Sequence, residues 1–391
     1  MSVLTGLDRF EERWPVTLRG ADVGLLVNPA SVNRKLEHAV NLFQKSREVR
    51  LAALFGPQHS IRSETQDNMV EWEGFTDKET GLPVYSLYGR TRKPVQSMLN
   101  DIDVMVIDLQ DAGSRYYTYI WTMENCIESC AEMKKAVVIL DRPNPLGGLL
   151  TEGPVLDMDF SSFVGMRQLP VRHGMTMGEI AGYLKSSFYP SLDLHVIPMK
   201  GWKRDMWFDE TGLPWIMPSP NMPTLDTAIV YPGMCLLEGT NLSEGRGTTR
   251  PFEILGAPFI EAGEFTGRLS EFKLPGVVFR PMHFQPTFHK FSGQLCGGVQ
   301  LHITARDRFR PFLTGAAVIK TAHDMYPEDF KWRMPPYEYE AEKMPIDILA
   351  GTDRFRRDIE EGKSLESMEK WWQEQNREFN RKVRARYLMY K

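Results

Sequence analysis

Residues 104–143, "VMVIDLQDAGSRYYTYIWTMENCIESCAEMKKAVVILDRP", carry the pattern that decides the fold. The runs "VMVIDLQ" and "AVVILDRP" are short, apolar and rich in β-branched residues, the texture of strands buried on both faces. Between them, "TYIWTMENCIESCAEMKK" repeats its apolar residues at helical spacing. Strand, helix, strand in that order predicts a parallel unit with its crossover helix.

The same alternation extends outward. "VGLLVN" (23–28), "VRLAALFG" (49–56), "PVYSLYG" (83–89) and "LDLHVIPM" (192–199) read as further strands. "NRKLEHAVNLFQKS" and "TMGEIAGYLKS" (176–186) read as helices. The expected class is therefore α/β, a doubly wound and mostly parallel sheet. Residues 215–250 change character, with "PSPNMPTLD" and "EGTNLSEGRGTTRP" crowded with turn formers, the composition of linkers or functional surfaces. Beyond them, "GVVFRPMHFQPTF" and "CGGVQLHIT" return to strand patterns, and "ESMEKWWQEQNREFNRKVRARYLMY" ends the chain on a long charged helix. These features predict a first domain over 1–245 and a smaller α+β domain over 246–391.

At 391 residues two domains are the natural expectation. Apolar content of 42% and charged content of 25% are those of a globular protein. A net charge of −4 with scattered basic residues gives no footprint for nucleic acid. The opening "SVLTGLDRFEERWP" has no basic then apolar leader, and no run reaches the ~20 apolar residues of a membrane span. The expectation is a cytoplasmic protein, with export by another route left open. Cys126, Cys130, Cys235 and Cys296 form no CxxC pair, so reduced thiols and no metal site are expected.

In open α/β sheets ligands bind beyond the carboxyl ends of the strands. Three such exits here are polar. "GPQHSIRSETQDN" offers Gln58, His59, Arg62, Glu64 and Asp67, and "DLQDAGSRYYTY" offers Asp108, Asp111, Arg115, Tyr116, Tyr117 and Tyr119. "DRPNPLGG" offers Asp141 and Asn144. Aromatic rings beside carboxylates and a guanidinium suit a sugar, stacking on its apolar face while polar groups take its hydroxyls. The structural readings stand beside this one: tyrosines in the core, Asp111 as a helix cap, Asp141 and Asn144 in Asx turns. Glu152 in "TEGP", and His173 and Glu179 in "RHGMTMGE", are further candidates, Glu179 equally a first-turn helix acid. "PSPNMP" and "YPGMCLLEGTNLSEGRGTTRPFE" add Asn221, Tyr231, Glu238, Asn241, Ser243, Glu244 and Arg246.

Several signatures are missing: GxGxxG after the first strand, GxSxG, HExxH and the P-loop lysine. An inventory of carboxylate, amide and aromatic side chains around a crevice is what glycoside hydrolysis uses. Many carbohydrate-binding proteins share it.

"LFGPQHSIR", "IDLQDAGSRYYTYI", "ILDRPNPLGG", "LPVRHGMTMGEIA", "YPGMCLLEGTNLSEGRGTTRPFEILGAPFI" and "GTDRFRRDIEEGKS" together resemble the exo-acting β-N-acetylmuramidases, a bacterial family long catalogued as a domain of unknown function. The resemblance runs from about residue 20 to the C-terminus. It implies a Rossmann-like N-terminal domain, a smaller C-terminal domain and a cleft between them. It also implies release of N-acetylmuramic acid from non-reducing ends of peptidoglycan fragments, with no metal or organic cofactor and a small saccharide as partner. One departure stands out. Gln58 occupies the position of a family glutamate, and Ser60 and Ser63 replace family glycines. A glutamine cannot donate a proton at neutral pH. The expectation is therefore Glu64 as the acid, near Gln58 and His59, with Asp67 and Glu71 as lesser candidates. His59 and Arg62 are expected as substrate contacts, and Asp111 and Tyr117 as cleft residues. The competing readings are a non-catalytic carbohydrate-binding or regulatory homologue that has lost its acid, and a nucleotide-using Rossmann enzyme.

Overall fold

The structure, a computed structural model, describes residues 2–67 and 69–391. Met1 and Asn68, the last residue of the "GPQHSIRSETQDN" stretch, lie outside the described residues. The first part of the chain contributes β1 (Asp22–Val27), β2 (Arg50–Gly56), β3 (Phe75–Thr76), β4 (Pro83–Ser86), β5 (Val104–Asp108) and β6 (Ala136–Leu140). A two-stranded antiparallel ribbon, β7 (Glu152–Val155) and β8 (Pro170–Arg172), precedes β9 (Leu194–Ile197).

Seven strands form one sheet in the order β3-β4-β2-β1-β5-β6-β9. All its pairings are parallel except β3 with β4. From β1 the chain winds first through β2 and β4, then back through β5, β6 and β9, the Rossmann-like arrangement. Burial explains the strand texture. Met105 and Ile107 of β5, with Val137 and Ile139 of β6, point into one core. Val104 and Val106, with Val138 and Leu140, point into the other. A strand alternates its side chains between faces, so a sheet covered on both sides needs apolar residues at every position.

The helix Tyr119–Met133 covers one face through Ile120, Trp121, Met123, Cys126, Ile127 and Cys130. Lys134, in the left-handed region at φ 54°, ends it before β6. The other face is covered by Phe10, Trp14 and Phe43, with Phe10 stacked on Phe43 at 4.6 Å. The helix expected from residue 33 begins only at Ala39. Asn33 Oδ1 accepts from the amides of Lys35 and Glu37, a local turn that competes with helix. Glu179 closes a capping box with Thr176 at the start of Met177–Ser187.

The later part holds a three-stranded antiparallel sheet, β10 (Ile254–Ala257), β11 (Val277–Phe284) and β12 (Cys296–Ile303), in the order β10-β12-β11. The helix Ala262–Glu271 packs on this sheet, and the helices Leu225–Met234 and Pro311–Met325 pack closely against each other. A Cβ on Gly233 would lie 1.8 Å from the Pro311 carbonyl oxygen, so only glycine permits this approach. The last helix, Leu365–Lys382, returns to the first part, where Asn376 Nδ2 donates to Gly153 O at 2.7 Å. Beyond it, Tyr390 Oη donates to Asp141 at the exit of β6. Among the described residues no helix is long and apolar enough to cross a membrane.

Candidate active site

The exits of β2 and β5 meet in a narrow cleft. After β2 the chain turns sharply: His59, Ser60 and Ser63 have φ of 70°, 71° and 51°. Ser60 and Ser63, which the resemblance sets against glycines, thus hold the left-handed conformation, which disfavours a Cβ by roughly 1–2 kcal/mol. The turn aims Gln58 and His59 into the cleft. His59 Nδ1 lies 2.8 Å from the Thr65 carbonyl oxygen, which can only accept, so Nδ1 carries the proton and Nε2 is the acceptor. Burial lowers the His59 pKa to about 4, so the ring is neutral at physiological pH.

The β5 exit supplies Tyr116, Tyr117, Thr118 and Tyr119. Their rings interlock with the second part of the chain: Tyr116 and Tyr117 meet Tyr231 edge-on at 5.6 and 5.8 Å, and Tyr231 meets Phe252 at 4.8 Å. Thr118 Oγ1 donates to Gln58 Oε1 at 2.9 Å. Ser219 and Asn221 complete one wall, with Asn221 Nδ2 bound to Gln66 O at 2.6 Å.

Two glutamates line the cleft. Glu238 pairs with Arg246 at 2.7 Å and accepts from Tyr337 Oη at 2.5 Å. Against burial, Glu238 and Glu244 hold the Arg246 guanidinium well above its ordinary pKa. The second is Glu338. The residue is 4% exposed, and its carboxyl accepts from Tyr88 Oη at 2.8 Å and lies 3.5 Å from Gln58 Nε2. Burial raises its pKa to about 7. Glu338 and Tyr339 sit at φ 45° and 67°, between the mutually hydrogen-bonded Tyr337 and Glu340. Positive φ at both central residues is the type I′ pattern, ordinarily filled by Asn and Gly.

Nine of the sequence candidates line this cleft: Gln58, His59, Tyr116, Tyr117, Tyr119, Asn221, Tyr231, Glu238 and Arg246. The remaining candidates lie elsewhere. Glu64 is exposed and outside the lining, and Arg62 pairs with Asp77 at 2.8 Å. Asp108 is ion-paired with Arg142, tying the exits of β5 and β6 together. Asp111 Oδ2 accepts from the Gly113 amide and lies 3.2 Å from His173 Nε2. Arg115 donates to the carbonyls of Pro154, Leu169 and Leu349, and burial lowers its pKa to about 10. Asp141 gathers Thr176, Gly178 and Tyr390, with its pKa raised by burial to about 6. Asn144 bridges Met175 and Leu146, and Glu152 accepts from the Leu313 amide. Asn241 bonds Asp329 and Lys331. Against burial, Lys290, His289 and Arg246 hold Glu244 well below the carboxylate range.

The sequence reading missed Glu338, its partner Tyr88, and Tyr337, which bonds Glu238. Glu338 lies 280 residues from Gln58 and has no strand exit to flag it. Among the described residues no group of three or more His, Cys, Asp or Glu side chains is arranged to hold a metal ion.

Comparison with known proteins fits this geometry. Residues 23–226 match the family model for the N-terminal part of exo-β-N-acetylmuramidase NamZ, and residues 229–390 match that for its C-terminal part. The peptidoglycan β-N-acetylmuramidase NamZ of Bacillus subtilis (strain 168) is 45% identical over 388 residues, covering 99% of this chain and 91% of that protein. Crystal structures of two DUF1343 family proteins from Bacteroides fragilis NCTC 9343 superpose with TM-scores of 0.89 and 0.79, at 36% and 28% identity. Each covers 100% of this chain and 99% of the neighbour.

Proposed function

From the premise that this chain belongs to the NamZ exo-β-N-acetylmuramidase family, we propose that it releases N-acetylmuramic acid (MurNAc) from the non-reducing ends of peptidoglycan-derived saccharides. The observation that carries this reading is the cleft at the β2 and β5 exits, where two glutamates face a wall of tyrosines and amides. Tyrosine rings cover the apolar face of a pyranose while Gln58, Asn221 and the neutral His59 exchange hydrogen bonds with its hydroxyls and acetamido group. Arg246, in the lining and paired with Glu238 and Glu244, is the cation this reading assigns to the lactyl carboxylate of MurNAc. Hydrolysis of the glycosidic bond then needs a proton for the leaving oxygen and a water for the anomeric carbon.

A non-catalytic binding role, left open by Gln58, is the weaker reading, because 45% identity over nearly the whole chain ties it to a hydrolase. The test is incubation of the purified protein with MurNAc–GlcNAc and, separately, GlcNAc–MurNAc disaccharides. Free MurNAc from the first and an intact second support the reading. An intact first disaccharide overturns it.

A further inference from the structure

We propose that Glu338, delivered by the Tyr337–Glu340 turn of the second part of the chain, is the group that protonates the glycosidic oxygen in this protein. This rests on the hydrolase reading and names the residue that performs it. Three observations meet on this side chain.

The first is place. Glu338 lines the cleft beside Gln58, so a carboxyl stands against the position where the resemblance puts a family glutamate. The acid is missing from the β2 exit and present on the opposite wall. Glu64, six residues along the chain, is exposed and does not reach the lining.

The second is backbone. A Glu-Tyr pair at two positive-φ positions is strained, and such conformations persist only where the surroundings hold them. Here the holding is visible. Tyr88 Oη bonds the Glu338 carboxyl, the Tyr339 ring meets Tyr88 edge-on at 5.6 Å, and Arg92 lies over the Tyr339 ring. The Glu338 amide donates to Met69 Sδ at 3.5 Å.

The third is orientation. Thr118 donates to the oxygen of Gln58, which turns the Gln58 NH₂ toward Glu338 Oε1. Gln58 is thus a positioning residue, steering the acid without titrating. Burial then keeps a substantial fraction of Glu338 protonated at neutral pH, as a general acid requires.

The step balances simply. The Glu338 proton passes to the glycosidic oxygen as the bond from the anomeric carbon breaks, and the bonding pair stays on that oxygen. The leaving sugar departs as an alcohol. Water supplies the hydroxyl on the anomeric carbon and the proton that restores Glu338.

The experiment compares wild type with Glu338→Gln on two substrates, MurNAc–GlcNAc and an aryl β-MurNAc glycoside whose phenolate leaves without a proton. The expected result is a kcat loss of about 100-fold or more on the disaccharide, with KM little changed and far smaller loss on the aryl glycoside. Circular dichroism and a melting curve confirm that the isosteric variant folds, and Glu338→Asp, with the carboxyl drawn back, is expected to fall between the two. Undiminished disaccharide turnover in Glu338→Gln overturns the assignment and leaves the hydrolase reading standing, as does an equal loss on both substrates. Absence of turnover by wild type overturns both together.

Discussion

Gln58 Nε2 lies 3.5 Å from Glu338 Oε1, joining a strand exit of the Rossmann-like sheet to a turn in the second part of the chain. The contact is long for a hydrogen bond, so the amide orients the carboxyl without strongly stabilising its ionised form. That balance sets the first expectation. In Gln58→Glu two carboxyls would share the space, and one must hold a proton. The basic limb of the kcat/KM profile should move upward by about a pH unit or more. A profile unchanged from wild type would contradict the contact.

Tyr88 and Gln58 both pull the Glu338 pKa down, Tyr88 the more strongly. The Tyr88 hydroxyl donates to Glu338 and so favours the carboxylate. Tyr88→Phe should raise the Glu338 pKa and move the same limb to higher pH. The melting temperature should fall modestly, for a loss on the order of 1 kcal/mol. A limb displaced to lower pH would reverse the assigned donor.

The β2 exit offers a stability test. Ser60 has φ 71° and a buried hydroxyl with no hydrogen-bond partner among the described residues. Replacing it by glycine removes a left-handed strain of roughly 1–2 kcal/mol and an orphaned hydroxyl. The greater freedom of glycine in the unfolded chain returns roughly 0.4–1 kcal/mol of that gain. Ser60→Gly should therefore raise stability by about 1 kcal/mol, read as a higher denaturant midpoint. A lower midpoint would show that the hydroxyl contributes to the loop.

Glu152 provides a pH-dependent counterpart away from the cleft. Burial raises its pKa from 4.5 to about 7 in the folded protein. The folded state therefore holds the proton more tightly than the unfolded chain. Stability from this group is complete below the unfolded pKa and is lost as pH rises through about 7. Glu152→Gln removes that loss. Its stability relative to wild type should climb between about pH 5 and about pH 8, by on the order of 2 kcal/mol. Denaturant titrations at both ends check the trend, and a flat difference would contradict it.

Much of the sheet was legible in sequence because strands covered on both faces are apolar at every position, as in β5 and β6. The strand-exit rule found Gln58, His59 and Tyr117, since parallel strands bring their carboxyl ends together whatever the side chains do. It could not separate these from Asp108, Arg115 and Asp141. Those residues share the same exits but use their hydrogen bonds to fasten loops. Glu338 was invisible for a different reason. Its turn has the positive φ angles of an Asn-Gly hairpin but is built from Glu and Tyr, so local chemistry gives no turn signal. Contacts far along the chain, with Tyr88, Arg92 and Met69, hold it there.

The central claim is that a buried Glu338 supplies the proton. The most direct measurement is kcat/KM for MurNAc–GlcNAc between about pH 5 and about pH 9, for wild type and Glu338→Gln. Wild type should lose activity through a single basic ionisation near the Glu338 pKa of about 7, and the residual activity of the variant should lack that limb. A basic limb that persists unchanged in Glu338→Gln would contradict the account.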